Sequence, residues 1–254
     1  MEHFLIKNNS VSKYNSNEQR VCTCQRMRTK VYNIINLTRH LELLDFTYNI
    51  LYGESCTLQQ SEVESACNTL LLKGGYSSSA THIVEMQYDQ NKSLLLRVVE
   101  TSPYKEFALR ALRPNAQLFS IEGHELTLQT TAATQFTELL RLLSRHYNCD
   151  VPLCVNSQGE VWSVDGTVPF VVKGKQITIG TSMDTVEAEM AATALASLIK
   201  YEVKMDIITV DQALDADEIF YVDSRGITCL KSISGNMLSD NIANLLYRTL
   251  NFVV

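Results

Sequence analysis

Two rhythms of apolar residues run through this chain, one suited to strands and one to helices. The densest strand signal is Ile219-Phe220-Tyr221-Val222, an unbroken apolar run rich in aromatic and branched side chains, as a buried strand requires. Asp223-Ser224-Arg225-Gly226 follows with turn chemistry: short polar side chains bond their own backbone, and Gly226 is free to take positive φ. Residues 227–233 return as a second strand. Ahead of the run, residues 213–218 predict one or two capped helical turns.

The same reading extends over the rest. Residues 1–28 alternate poorly and predict a strand pair with loops, or an extension. Residues 30–36 predict a strand, 40–52 and 58–73 two helices (the second stopped by Gly74-Gly75), and 80–88 with 94–100 a hairpin. Pro114 marks residues 111–116 as a connection, with mostly β structure over 118–128. Residues 132–146 predict a helix with Phe136, Leu139, Leu140 and Leu143 on one face. Strands are expected at 151–155 and 161–164, then a hairpin from 169–172 and 176–179. Residues 184–200 predict a helix opened by an Asp184/Glu187 capping box, followed by a short strand at 201–206 and a last helix at 238–250. The order predicts an α+β protein of two domains, a small N-terminal α/β domain over 1–112 and a larger β-rich domain with flanking helices over 118–254.

Composition narrows the function classes. At 45% hydrophobic and 20% charged residues, the chain has ordinary globular proportions. A formal charge of −6 argues against nucleic acid or an acidic membrane as partner of the whole surface. No apolar run approaches the roughly 20 residues that cross a bilayer. The odd count of 7 scattered cysteines fits free thiols in an intracellular, reducing compartment, and Cys22-x-Cys24 lacks the second ligand pair of a zinc site. Residues 1–40 hold seven Lys/Arg against two Asp/Glu, leaving 15 basic and 26 acidic residues in the remainder. A basic start of this kind favours a mitochondrial over a cytoplasmic setting, but reads before that as a polar arm, residues 1–30, docked on the acidic body or on a partner.

The segment ALDADEIF, its turn, and ITCLKSISG resemble the C-terminal signature of the class IV aminotransferase family, the pyridoxal phosphate (PLP) enzymes of fold type IV that include branched-chain and D-amino-acid aminotransferases and 4-amino-4-deoxychorismate lyase. NSQGEVWSVDGTVPF (156–170) and IGTSMDTVEAEMA (179–191) resemble two further family segments in the same order. The resemblance implies the two-domain fold, a homodimer or a pairing with a related chain, and a cofactor cleft.

Carried over position by position, that cleft is depleted. The lysine that would bind PLP as a Schiff base falls on Thr130, and residues 106–172 contain no lysine at all. The carboxylate facing the pyridine nitrogen falls on Ser163, the phosphate-binding arginine on Leu43, and a further arginine on Met183. Thr181, Ser182, Ser224, Arg225 and Gly226 keep the small, hydroxyl-bearing or basic character of phosphate-cradling turns. His40, His82, His124 and His146 sit on separate elements without a nucleophile or acid at motif spacing. The expectation is therefore a degenerate member without cofactor, without catalytic residues and without metal, acting as a structural or assembly subunit of a protein complex. The alternatives are a non-covalent small-anion binder and a PLP-dependent transaminase or lyase.

Overall fold

The computed structural model describes residues 4–7, 10–13, 21–102, 107–182 and 184–252. The chain divides into two compact units, Met1–Glu106 with Gln129–Ala132, and Phe107–Leu128 with Ala133–Val254.

The first unit is one antiparallel sheet with two helices. Its strands are β1 (Phe4–Lys7), β2 (Ser10–Lys13), β3 (Thr23–Lys30), β4 (Asn33–Ile34), β5 (Thr81–Tyr88) and β6 (Leu94–Ser102), in the order β2-β1-β6-β5-β3-β4. Helices α1 (Leu37–Tyr52) and α2 (Gln60–Lys73) lie between β4 and β5 in sequence. Strand side chains alternate across the sheet, so Met27, Val84, Met86 and Leu96 pack with Leu44, Tyr48 and Leu70 of the helices. Glu85 is 1% exposed and ion-paired with both Arg26 and Arg97, which offsets the cost of burying a carboxylate.

This architecture corrects the docking-arm expectation for residues 1–30. β1 pairs with β6, and β3 lies between β5 and β4 with Met27 fully buried, so the described part of that segment is sheet. Residues 1–3, 8–9 and 14–20 of the expected arm lie outside the described residues. The unit is completed from far along the chain: Cys24 donates its N–H to the Gln129 carbonyl (2.9 Å), and Thr131 donates to the Cys22 carbonyl (3.0 Å).

The second unit holds two sheets. One, β12-β11-β10-β14-β15, is built from β10 (Phe170–Lys173), β11 (Gln176–Ile179), β12 (Glu202–Met205), β14 (Glu218–Asp223) and β15 (Gly226–Cys229). The other, β13-β9-β8-β7-β16-β17, is built from β7 (Asn115–Ser120), β8 (Val151–Val155), β9 (Glu160–Val164), β13 (Ile208–Thr209), β16 (Ser232–Ile233) and β17 (Asn236–Met237). The helices are α3 (Thr131–His146), α4 (Val186–Ala196), α5 (Val210–Leu214) and α6 (Asn241–Phe252). The unbroken apolar run of β14 now has its cause. Ile219 and Tyr221 face the second sheet beside Leu153 and Val161, whereas Phe220 and Val222 face the helices beside Ala191 and Leu246. Phe170 and Phe220 stack at 4.9 Å between centroids.

Several expected elements shift. The capped turns expected over 213–218 occur earlier, as α5, because Thr209 and Gln212 form the capping box there and Glu218 already belongs to β14. α4 is capped by Thr185, whose hydroxyl accepts from the Ala188 N–H (3.2 Å), rather than by Asp184, and it ends at Ala196. The strand expected through residue 128 gives way to a 3-10 turn at His124–Thr127. Residues 111–116, expected as a connection, are taken up into the second unit and begin β7.

Candidate functional site

Ser163 lies on β9, 1% exposed, with its Oγ accepting the Gly166 N–H (3.1 Å). That bond closes the turn after β9, in which Asp165 and Gly166 both take left-handed backbone (φ 54° and 78°). The turn delivers Asp165 into the interior, 4% exposed. Arg141 of α3 clamps this carboxylate through Nε and Nη2 (2.9 Å for the latter), and the Tyr221 hydroxyl of β14 donates to it at 2.7 Å.

Arg225, in the turn between β14 and β15, joins the same cluster. It lies 3.7 Å from Asp165 and forks onto Asp223, with 2.8 Å from Nε. Burial opposes ionisation of Asp223, but the Arg225 guanidinium overrides it and holds the carboxyl below the usual range. Burial likewise opposes the charge on Arg225, and Asp223 and Asp165 outweigh it, so the guanidinium is held above its ordinary value. Burial, then the adjacent carboxylates, push the Tyr221 phenol well up. Both arginines thus direct their donors to the protein's own acids.

Gly226 sits at φ 127°, and a Cβ there would lie 2.1 Å from the Ala108 carbonyl oxygen. The missing side chain makes room for the chain's own backbone: Ile227 donates to the Ala108 carbonyl (2.8 Å), and Arg110 to the Ile227 carbonyl (2.9 Å). Ser224 is 4% exposed at the same turn.

Thr181 and Ser182 line a cavity of about 130 Å³ with Glu122, Asn156, Glu160 and Trp162. The Ser182 hydroxyl donates to the Trp162 carbonyl, tying the segment to β9 one residue from Ser163. Among the described residues the cavity wall holds two carboxylates and no basic side chain, a lining that opposes an anion there. This lining disfavours the small-anion expectation at Thr181 and Ser182.

Thr130 belongs to the first unit, 4% exposed and bridged to Thr23. Leu43, also in the first unit, is a buried residue of α1. Met183 lies outside the described residues. His40 is 2% exposed with Nδ1 3.2 Å from Gln25 Oε1, and burial lowers its pKa to about 4, so it is neutral at physiological pH. Sequence reasoning missed Asp165, Arg141 and Tyr221. The one available signal was Asp165-Gly166, a turn dipeptide ending a strand.

Comparison with known proteins gives the fold its family likeness. No family model matches the chain, and no curated protein sequence matches it. Among solved structures, the branched-chain aminotransferase of Thermoproteus uzoniensis, solved with norvaline, is similar at TM-score 0.79 and 14% identity, covering 100% of this chain and 95% of that one. An aminotransferase from Brucella abortus bound to PLP is similar at TM-score 0.79 and 11% identity, covering 100% and 99%. The branched-chain amino acid aminotransferase of Thermobaculum terrenum in its PLP form is similar at TM-score 0.76 and 14% identity, covering 98% and 93%. The fold is therefore that of the class IV aminotransferases; at these identities the likeness carries the fold and no more.

These neighbours also correct the expectation that no cofactor belongs here. Structures of this fold were solved with PLP or with pyridoxamine 5'-phosphate, which makes a pyridoxal-type phosphate the ligand to which the fold points. The residues present do not fit covalently held PLP. No lysine occurs over 106–172, Ser163 offers a neutral hydroxyl engaged with Gly166, and the nearby Asp165 is committed to Arg141 and Tyr221.

Proposed function

We propose that this chain is a catalytically silent protein of the class IV aminotransferase fold, serving as a structural or assembly subunit alongside another protein chain. The observation that carries this reading is the absence of any lysine between Lys105 and Lys173, which leaves no amine to condense with an aldehyde at Thr130 or its neighbours. The ion cluster of Asp165, Arg141 and Arg225 supports it, because it occupies its own charges internally instead of presenting them to a ligand. Fold and site chemistry are separable, so a scaffold with cores on both faces of β14 is stable without turnover.

The test separates catalysis from occupancy. Purified protein is mixed with PLP and reduced with borohydride, and amino-group transfer from branched-chain amino acids to a 2-oxo acid is assayed in parallel. The expected result is no stoichiometric reduced adduct and no turnover. A shift of the melting temperature by pyridoxamine phosphate would report non-covalent occupancy and leave the reading standing. A stoichiometric lysine adduct with turnover would overturn it. Recovery of a companion chain with the protein purified from its native source is the expected sign of the assembly role.

A further inference from the structure

The cavity beside Thr181 and Ser182 carries charge without a counter-charge. Its two carboxylates are pinned by neighbouring residues of one turn. The Ser157 N–H donates to Glu122 Oε1, and the Asn156 side chain donates from Nδ2 to Glu160 Oε2 (2.7 Å). Asn156 Oδ1 in turn accepts from the Gln158 and Glu160 N–H groups (3.1 and 2.9 Å), so the turn is fixed by its own bonds. Each carboxylate keeps its other oxygen, Glu122 Oε2 and Glu160 Oε1, with no hydrogen bond or ion pair among the described residues. Two such oxygens in one small space with low-dielectric walls create a potential that draws a cation.

The rest of the wall says which cation. Trp162 shares a sheet face with Glu160, two positions away on β9, and its Nε1 donates to the carbonyl of Ile121 (3.0 Å), the residue before Glu122. Ile208 is buried, and Ile207, at the mouth, is 51% exposed. Carboxylates set among apolar walls call for an apolar stem that ends in a cation. At about 30 Å³ per water, a cavity of about 130 Å³ has the space of about four waters, which suits the four-carbon stem and compact ammonium of lysine. Arginine suits it less, because its planar fork takes both oxygens of one carboxylate, and here each carboxylate offers one. Met205, at the end of the edge strand β12 and two residues before Ile207, is 62% exposed. Exposed apolar side chains beside the mouth suit a polypeptide around the cation better than a free amine.

We propose that this cavity receives a lysine side chain of the companion protein chain. Its ammonium bonds Glu122 Oε2 and Glu160 Oε1, its stem lies along Trp162 and Ile208, and Met205 with Ile207 offers apolar ground to the residues on either side of it. The proposal rests on the assembly reading above and adds the chemistry by which the partner is recognised. The two fail separately. A stoichiometric PLP adduct with turnover would overturn the silent subunit and leave the cavity measurement untouched, whereas failure of the lysine measurement leaves the silent subunit standing with a partner that docks elsewhere.

The test titrates the full chain with short synthetic peptides. Trp162 is the chain's single tryptophan, so tryptophan emission reports on the cavity. The blocked tripeptide Leu-Lys-Leu is expected to shift that emission saturably, with a dissociation constant in the millimolar range, as one seated side chain allows. Norleucine in place of the lysine keeps the stem without the ammonium and is expected to weaken binding about tenfold or more. Glu122→Gln and Glu160→Gln, which keep the acceptors that hold the turn, are each expected to weaken the lysyl peptide about fivefold, and the double variant to abolish its binding. As a check that needs no substitution, about 0.5 M salt is expected to weaken the lysyl peptide and spare the norleucyl one. Met205→Ser is expected to bring Leu-Lys-Leu down to the affinity of Gly-Lys-Gly. No saturable response to the lysyl peptide, equal binding of the norleucyl peptide, indifference to the double variant, or binding of free n-butylamine without binding of either lysyl peptide would each overturn the proposal.

Discussion

α3 and α6 are both strongly amphipathic helices of the second unit, and they meet opposite fates. α6 buries Ile242, Ala243, Leu246 and Leu250 against α4 and the sheet. α3 buries Leu140 and turns Leu139, Leu142 and Leu143 outward. An apolar stripe therefore marks a face that needs covering, without saying what covers it. The difference lies in how each helix is anchored. The first turn of α6 is received by Glu218, whose carboxylate accepts from Ile242 N–H (2.9 Å), Ala243 N–H (2.8 Å) and the Ser239 hydroxyl (3.2 Å). Arg113 fastens the approach to the helix by donating to the carbonyls of Leu230, Leu238 and Ser239 (3.0, 2.6 and 3.0 Å). α3 is held by Arg141 on Asp165 and by a small apolar cluster in which Leu140 and Phe136 pack with Cys154 and Trp162.

The contrast can be broken most sharply at Leu246. Leu246→Ala empties a fully buried site and is expected to cost about 2–5 kcal/mol in denaturant-induced unfolding. Arg113→Met should follow, at about 1–3 kcal/mol, because it strands three carbonyls that the guanidinium now satisfies.

Glu218→Gln keeps an acceptor at the cap and is expected to change stability by under about 1 kcal/mol, but it should change the pH dependence. Burial raises the Glu218 pKa above its ordinary 4.5, with the Ile242 and Ala243 N–H groups opposing that shift. The protonated form is therefore favoured in the fold. Its contribution is fully present below pH 4.5 and is lost as pH rises through the folded-state value. Wild type should lose stability relative to Glu218→Gln over that rise; a difference independent of pH would show that the carboxyl is not perturbed. Smallest of all, Leu142→Ser on the exposed face of α3 should leave the unfolding free energy of the monomer within about 0.5 kcal/mol. A loss comparable to that of Leu246→Ala would mean that the two helices are covered alike.

Much of this fold could be read from short-range signals. Ile219–Val222 with its Asp-Ser-Arg-Gly turn predicts the β14–β15 hairpin because both the apolar run and the turn are local. The helix starts were harder, since Thr185 and Thr209 compete with equally good nearby caps and only the surrounding chain decides between them. The face of α3 misled for a physical reason: Phe136, Leu139, Leu140 and Leu143 share a stripe, but the interior takes in Leu140 with Phe136 packed beside it and leaves Leu139 and Leu143 outside. The ion cluster was out of reach. Asp165 draws partners from 24 and 56 positions away in Arg141 and Tyr221, and no periodicity links them. Ser163, Ser224 and Gly226 were singled out as cleft residues, and the structure gives Gly226 a plain steric duty against Ala108.

The bonds from Cys22 and Cys24 to Gln129 and Thr131 carry a consequence for how the protein is made. The first unit draws on Gln129–Ala132, so its sheet edge cannot be completed until those residues have left the ribosome. Domains generally fold in order as they emerge, at roughly 5–20 residues per second. Here the N-terminal unit must wait, with the N–H groups at the start of β3 still open, while Phe107–Leu128 is synthesised in between. A nascent chain released before Ala132 would carry an unfinished edge, which makes that interval the point at which a chaperone or a folding partner has the most to offer.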